Sequence, residues 1–475
     1  VQTKFCGNSV MSFITASEAA SLLGAALVGQ DRILPQTFKV NSREITDGDV
    51  FVARKGKKSD GHLYIKDAIC NGAAVVLAQF SLDIALDFLK EYPRVLFLIV
   101  EDSEKALVSL AKHWLKKVHP KVIGITGSVG KTTTRELMAH TFAGHVRVHS
   151  AIRSYNTLVG CSLTILAMPQ ATEYLILELG TNHFGEIAEI VRSFPVDSAV
   201  ITELAPAHLE SFGSTEGVLK AKMEIISEGK TLNVSYNYDN KLLADAISAL
   251  SSDIRTLGMG GQGADFVILN RQLRQDAGRF LLALECLWEG DSFEIILPLF
   301  GLQHAHNVAY VYVAARNIGM PHHVILEKFM QFNVPSGRGR IHSLSGNSWL
   351  LDESYNSNPS SLEAVLNNTR KVVLPNSHKK IALLGGMREL GEQSRTFHEQ
   401  LLRDAVGFDA LFLVGAEWDG ISESGSPIAA RTHATEELIP MIQKICKDHV
   451  FVLLKGSRFY EMERLIPYLK GELRS

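Results

Sequence analysis

The sequence predicts an α/β protein of three domains, and three observations carry that prediction. Strand-like and helix-like segments alternate along almost all of the 475 residues, the pattern of parallel sheets covered by helices. That length suggests about three domains at roughly 150 residues each. One apolar strand pattern, Lys121 to Thr126, runs into Gly127-Ser128-Val129-Gly130-Lys131-Thr132-Thr133 and then into a helix pattern from Arg135. That order marks a central domain built around an anion-binding turn.

The elements follow in chain order. Val1 to Val10 precede Met11-Ser12-Phe13 and lack the apolar stretch of a secretory signal, so residues 1–10 are expected to be a disordered extension. The first block, 1–115, has a helix pattern at Ala16–Leu23 and a strand-turn region around Phe38–Arg54. The turn Gly61-His62, a helix at Tyr64–Asn71 and a strand at Ala73–Leu77 complete a small α/β domain. The second block, 116–335, adds strands at Tyr174–Leu179, Ser198–Glu203 and Leu232–Tyr238 to the loop strand, with helices at Gly185–Ser193 and Thr215–Ser227. Residues 266–297 alternate polar and apolar, which predicts an antiparallel extension. A helix at Asn307–Arg316 closes this P-loop-type, mostly parallel sheet domain. Pro335-Ser336-Gly337-Arg338-Gly339 reads as a linker. The third block, 336–475, has strands at Trp349–Leu351, Lys380–Leu384, Ala410–Val414 and Val450–Leu454 separated by helices, a Rossmann-like arrangement.

Composition narrows the function. A formal net charge of −3 gives no global case for nucleic acid or an anionic membrane as partner. Five scattered cysteines without a C-x-x-C pair argue against a disulfide framework or zinc knuckle and for a reducing cytoplasm. No apolar run approaches the ~20 residues a membrane span needs.

The chemistry starts at the loop. Glycines let backbone N–H groups curl around an oxygen-rich anion, Lys131 can reach outer phosphates, and the Thr132 hydroxyl can ligate Mg²⁺. The general G-x-x-x-x-G-K-[ST] spacing wants glycine at Ile125, so this is a shorter G-x-x-G-K-T loop. Glu178 ends a buried-looking strand, where it can face the nucleotide and share its metal, or simply reach solvent. His208 follows another strand end as a ligand or an ordinary surface histidine. Lys222 shares a helix face with Val218, Ile225 and Ile226. A lysine there ordinarily snorkels outwards, but a buried, neutral amine can react with CO₂ to give an anionic carbamate ligand. Asp352-Glu353-Ser354-Tyr355-Asn356-Ser357-Asn358-Pro359 is either a turn or a ribose- and base-facing strand end. Lys455-Gly456-Ser457-Arg458 is a second candidate anion loop, and Arg338 puts a guanidinium where two domains meet.

Together these segments resemble the Mur ligase family from Asn41 to Glu463. In the first block the likeness lies in Asn41-Ser42-Arg43, Gly48-Asp49-Val50-Phe51, Gly56, Asp60-Gly61-His62 and Gly72-Ala73. In the second it lies in Gly127–Thr133, Glu178-Leu179-Gly180, Ala207-His208-Leu209-Glu210, Phe212-Gly213-Ser214 and Lys222-Met223-Glu224-Ile225. In the third it lies in Ser354–Pro359, Met387-Arg388-Glu389-Leu390-Gly391, His398 and Lys455–Arg458. The Y-N-x-N-P and M-x-E-L-G pieces look most like the branch that adds a dipeptide.

The resemblance implies ATP-dependent amide ligation in cytoplasmic peptidoglycan-precursor synthesis. A UDP-N-acetylmuramoyl-tripeptide carboxylate would attack the γ-phosphate, and the amine of D-alanyl-D-alanine would then displace phosphate from the acyl phosphate. It implies ATP and two Mg²⁺ ions, one held by Thr132 and Glu178, the second held or positioned by His208 and carbamylated Lys222. Lys131, His208, Lys222 and Arg338 would be catalytic. Gly127, Ser128, Val129, Gly130, Lys131, Thr132, Thr133, Asn307, Arg338, Asp352 and Tyr355 would bind ATP. Ser42, Arg43, Asp60, Gly61 and His62 would bind the UDP-sugar, and Asn356, Asn358 and Lys455 would face the dipeptide. The protein is expected to act as a monomer. Asn41, Ser154, Thr157, Glu203, His304, Glu353 and Gly386 depart from the family pattern. The alternatives are a related ligase adding a single amino acid, or a non-catalytic nucleotide-binding regulator.

Overall fold

The computed structural model describes residues 13–56, 59–151, 154–206, 209–227, 231–276, 278–374, 378–421, 425–445 and 449–473. The expected extension at residues 1–10 lies outside them. Among the described residues three sheets form in chain order, of five, nine and six strands, each covered by helices as the alternation of elements predicts.

In the first sheet, Phe38–Lys39, Val50–Val52, Val75–Ala78 and Leu96–Ile99 run parallel, with Ala26–Val28 antiparallel at one edge. The helix that follows, Ser103–Val118, is capped by Asp102, which accepts the N–H groups of Glu104 and Lys105 at 2.9 and 3.0 Å. Its apolar stripe of Leu107, Leu110, Ala111 and Trp114 is buried. Trp114 donates its indole N–H to Met168 O of the second domain at 2.8 Å. One apolar core thus runs from the first sheet through this helix to the central sheet. Residue 115, where the pattern of segments ends the first block, lies inside the helix.

The loop strand Lys121–Thr126 lies between Tyr174–Glu178 and Ser198–Ile201, parallel to both. Val148–Ser150 extends one side, and Asn233–Asn237 and Arg255–Gly260 extend the other. Phe266–Asp276, Arg279–Trp288 and Asp291–Leu297 then fold as an antiparallel meander, the extension that alternation predicted. Residue Phe280, near the tip of that meander, is buried against the third domain. Its ring centroid is 5.7 Å from Trp349 and 5.6 Å from Phe451, and Trp349 donates its indole N–H to Gly278 O at 3.1 Å.

In the third sheet, Ser348–Glu353 pairs with Arg340–Leu344 antiparallel and with Val450–Lys455 parallel, and Lys379–Gly385, Ala410–Val414 and Ile428–Thr432 continue the parallel set. Separate apolar cores cover its two faces. Among the described residues no helix is long and apolar enough to cross a membrane.

Candidate active site

The carboxyl ends of strands from the second and third domains open on one cleft of about 1090 Å³, where ligands of parallel sheets bind. On its second-domain wall, Gly127 turns the chain at φ +141°, and a Cβ there would lie 2.0 Å from Thr202 Oγ1. The turn therefore requires glycine. Thr202 donates its hydroxyl to Val129 O at 2.6 Å from beneath the loop. Gly130, at φ +91°, begins helix Lys131–Phe142, with the Asn307 amide 2.7 Å from where its Cβ would be. Lys131 folds back and donates to Gly127 O and Ser128 O at 2.6 and 3.3 Å. Burial lowers its pKa, and Glu178 works against that. A phosphate oxygen entering the loop would take over those donors.

Thr132 donates its hydroxyl to Glu178 Oε2 at 2.8 Å, and both side chains are buried. Two hard oxygen donors beside a phosphate loop fit Mg²⁺. Behind them lies Arg135, which sequence reasoning did not single out. It is 1% exposed, its Nε is 3.4 Å from Glu178 Oε2, and Nε and Nη1 have no hydrogen-bond partner among the described residues. The i, i+3 spacing from Thr132, which puts both on one helix face, was the available signal. Lys222 is 3% exposed and lines a smaller cavity of about 130 Å³ with Lys131, Asn156, Thr181 and Glu186. Its amine therefore stays inside. Burial first, and the Lys131 cation second, lower its pKa to about 7. His208, expected as the second metal-side residue, lies outside the described residues.

The linker and third domain form the opposite wall. The Arg338 guanidinium lies 3.9 Å over the Tyr355 ring, with Nη2 3.5 Å from Ser154 Oγ. Asn356 and Lys455 line the cleft; Lys455 donates to Asn356 O at 2.9 Å and pairs with Glu353 at 3.5 Å. Asn358 reaches the wall too, but its side chain caps helix Pro359–Lys371 by accepting the Ser361 N–H. The structure does not bring Asp352 into the cleft. It is fully buried and accepts the Gly337 N–H at 2.7 Å and the Ser354 hydroxyl at 2.5 Å, so its carboxylate holds the linker. Sequence reasoning also assigned no role to Arg388 or Phe459, which line the cleft with the guanidinium 4.1 Å over the ring.

The five first-domain residues stand apart from this cleft, in the loops that follow the first two parallel strands. Asp60 accepts from the N–H and the Nδ1–H of His62 at 3.0 and 2.6 Å, while His62 Nε2 accepts the Gln79 N–H at 2.9 Å. These bonds fix the ring and, with Gly61, the turn. Asn41 accepts the Arg43 N–H at 3.1 Å, which leaves Arg43 exposed and Ser42 buried.

Comparison with known proteins follows the same division. The family model described as Mur ligase family, catalytic domain, matches residues 37–114; Mur ligase middle domain matches 125–315; and Mur ligase, glutamate ligase domain, matches 337–458. The chain is 30% identical to the UDP-N-acetylmuramoyl-tripeptide–D-alanyl-D-alanine ligase of Escherichia coli (strain K12), over 97% of this chain and 99% of that one. It is 30% identical to the enzyme of the same name from Rickettsia prowazekii (strain Madrid E), over 90% and 94%. Among solved structures it resembles the MurF ligase from Thermotoga maritima in complex with ADP, with a TM-score of 0.77 and 28% identity over 92% of this chain and 98% of that one.

Proposed function

The chain belongs to the Mur ligase family, and from that premise we propose that it is an ATP-dependent carbon–nitrogen ligase joining D-alanyl-D-alanine to a UDP-N-acetylmuramoyl-tripeptide. One observation carries the reading. The strand–loop–helix phosphate site faces, across a single cleft, a third-domain wall bearing Tyr355 and Asn356. A nucleotide and a second substrate held by different domains can meet there.

The tripeptide carboxylate attacks the γ-phosphorus, the bond to ADP breaks, and an acyl phosphate forms. The amine of the dipeptide then attacks the acyl carbon and loses a proton as phosphate leaves. Two anions must approach in the first step. Lys131 and Arg338 lie on opposite walls, placed to screen them and to stabilise charge on the transferring group. Thr132 and Glu178 would hold Mg²⁺, which supplies further charge neutralisation. Lys222, neutral above about pH 7, is proposed to be carbamylated and, with His208, to serve the metal side or position the attacking carboxylate. Ser42, Arg43 and the Asp60–His62 turn are proposed to hold the UDP-sugar. One chain carries both cleft walls, so a cytoplasmic monomer is proposed to suffice.

A relative adding a single amino acid is disfavoured by Tyr355-Asn356-Ser357-Asn358, and the Mur ligase likeness of all three domains disfavours a non-catalytic regulator. ADP release measured with UDP-N-acetylmuramoyl-tripeptide, with and without D-Ala-D-Ala, tests the reading. Release that depends on the dipeptide is expected. Turnover with a single amino acid and none with the dipeptide would overturn it.

A further inference from the structure

A chain of side-chain amides crosses from the third domain to the phosphate loop. Asn368, on helix Pro359–Lys371, accepts the Leu302 N–H at Oδ1 (3.4 Å) and donates from Nδ2 to Gln303 Oε1 (2.5 Å). A backbone donor thus fixes which way the Asn368 amide faces. Gln303 is folded over Gly301, where a Cβ would lie 2.4 Å from the amide. With its oxygen engaged, Gln303 presents Nε2 to His304 Nε2 at 3.3 Å. An amide NH₂ only donates, so His304 Nε2 carries no proton and a neutral ring must hold it on Nδ1. Burial, helped by the Arg338 and Lys455 cations, lowers the His304 pKa to about 4 and keeps the ring neutral. The Asn307 amide nitrogen lies 3.1 Å from Nδ1, and the amide oxygen faces the loop at Gly130. With a proton on Nδ1 that orientation sets two donors face to face, so we assign the amide the other way round, its oxygen on Nδ1. The NH₂ then turns to the loop at Gly130.

We propose that Asn368, Gln303 and His304 form a positioning relay that fixes Asn307 as a hydrogen-bond donor toward an acceptor atom of the nucleotide. This rests on the reading of the loop as the nucleotide site. Gln303-His304 stand where the family pattern has His-Asn, so the relay belongs to this chain's own departures. It also makes the donor conditional on the third domain, because Asn368 sets its sense.

The test is the tautomer of His304 in the full chain, read from two-bond ¹H–¹⁵N spectra and assigned with His304→Asn. The proton is expected on Nδ1. Asn368→Asp and Gln303→Glu each replace an amide with a group that only accepts, and should move the proton to Nε2. Asn368→Asp should also weaken ADP binding about tenfold, the scale of one hydrogen bond. Should one variant fail to fold, the other decides. A wild-type proton on Nε2, or one that stays on Nδ1 in the folded variants, overturns the relay. A wild-type chain that binds no ADP at all overturns the nucleotide reading instead, and the tautomer distinguishes the two.

Discussion

Lys222 shares its helix face with Val218 and Ile225, yet its amine stays in a cavity rather than reaching out. The neutral form that reacts with CO₂ is favoured above about pH 7. Ligation should therefore fall as the pH drops below about 7, where the amine is protonated and the carbamate cannot form. Lys222→Ala should lower kcat by about a hundredfold or more, be partly rescued by a short carboxylic acid, and lose a ¹³CO₂-derived carbamate signal in NMR. Full activity in Lys222→Ala would exclude the role. At this scale the sequence was legible where chemistry is local. Lys131, Thr132 and Glu178 declare themselves by their place after strands. Asn368 does not, because its partner Gln303 is 65 residues away. Gly386, where the family pattern has Asp, is explained only in three dimensions, since the Glu417 carboxylate lies 2.5 Å from where its Cβ would be.

Among the elements, the loop between strand Lys121–Thr126 and helix Lys131–Phe142 depends on Gly127 more than on any propensity. Its φ of +141° and the Thr202 hydroxyl 2.0 Å from a would-be Cβ leave no room for a side chain. Gly127→Ala should cost about 1–3 kcal/mol of stability, seen as a lower melting temperature, and should abolish ADP binding by calorimetry. Retained ADP affinity would mean that the loop does not hold the phosphates. Strands such as those in residues 266–297 were legible because period-2 alternation and apolar runs survive in the sequence, whereas Leu96–Ile99, Arg340–Leu344 and Ile428–Thr432 were not assigned. Helices Leu82–Glu91 and Ser103–Val118 went unassigned although apolar residues recur along both at helical spacing, as in Leu107, Leu110, Ala111 and Trp114.

For the whole molecule, three domains were legible from length and alternation, but the way they hold one another was not. Contacts such as that of Phe280 with Trp349 and Phe451 join apolar residues that local patterning treats as separate cores. Phe280→Ala should loosen the third domain at a cost of about 3–5 kcal/mol. Hydrogen exchange should then quicken in strands Ser348–Glu353 and Val450–Lys455 while Lys121–Thr126 stays protected; unchanged exchange would make the contact incidental. A second link, the Gly391 N–H donated to Glu210 Oε1 at 3.0 Å, joins the M-R-E-L-G loop to the segment after His208.

Helix Ser103–Val118 has a bearing on inheritance. Because its Trp114 packs edge-on against Phe13 of the first domain and donates to Met168 of the second, a first domain transplanted from another ligase would bring a key cut for a different lock. Recombination at that junction yields a badly packed hybrid unless both neighbours travel with the helix. On the proposed UDP-sugar role of the Asp60–His62 rim, new specificity would be most readily acquired by substitutions in the loops at the strand ends, leaving the shared seam untouched.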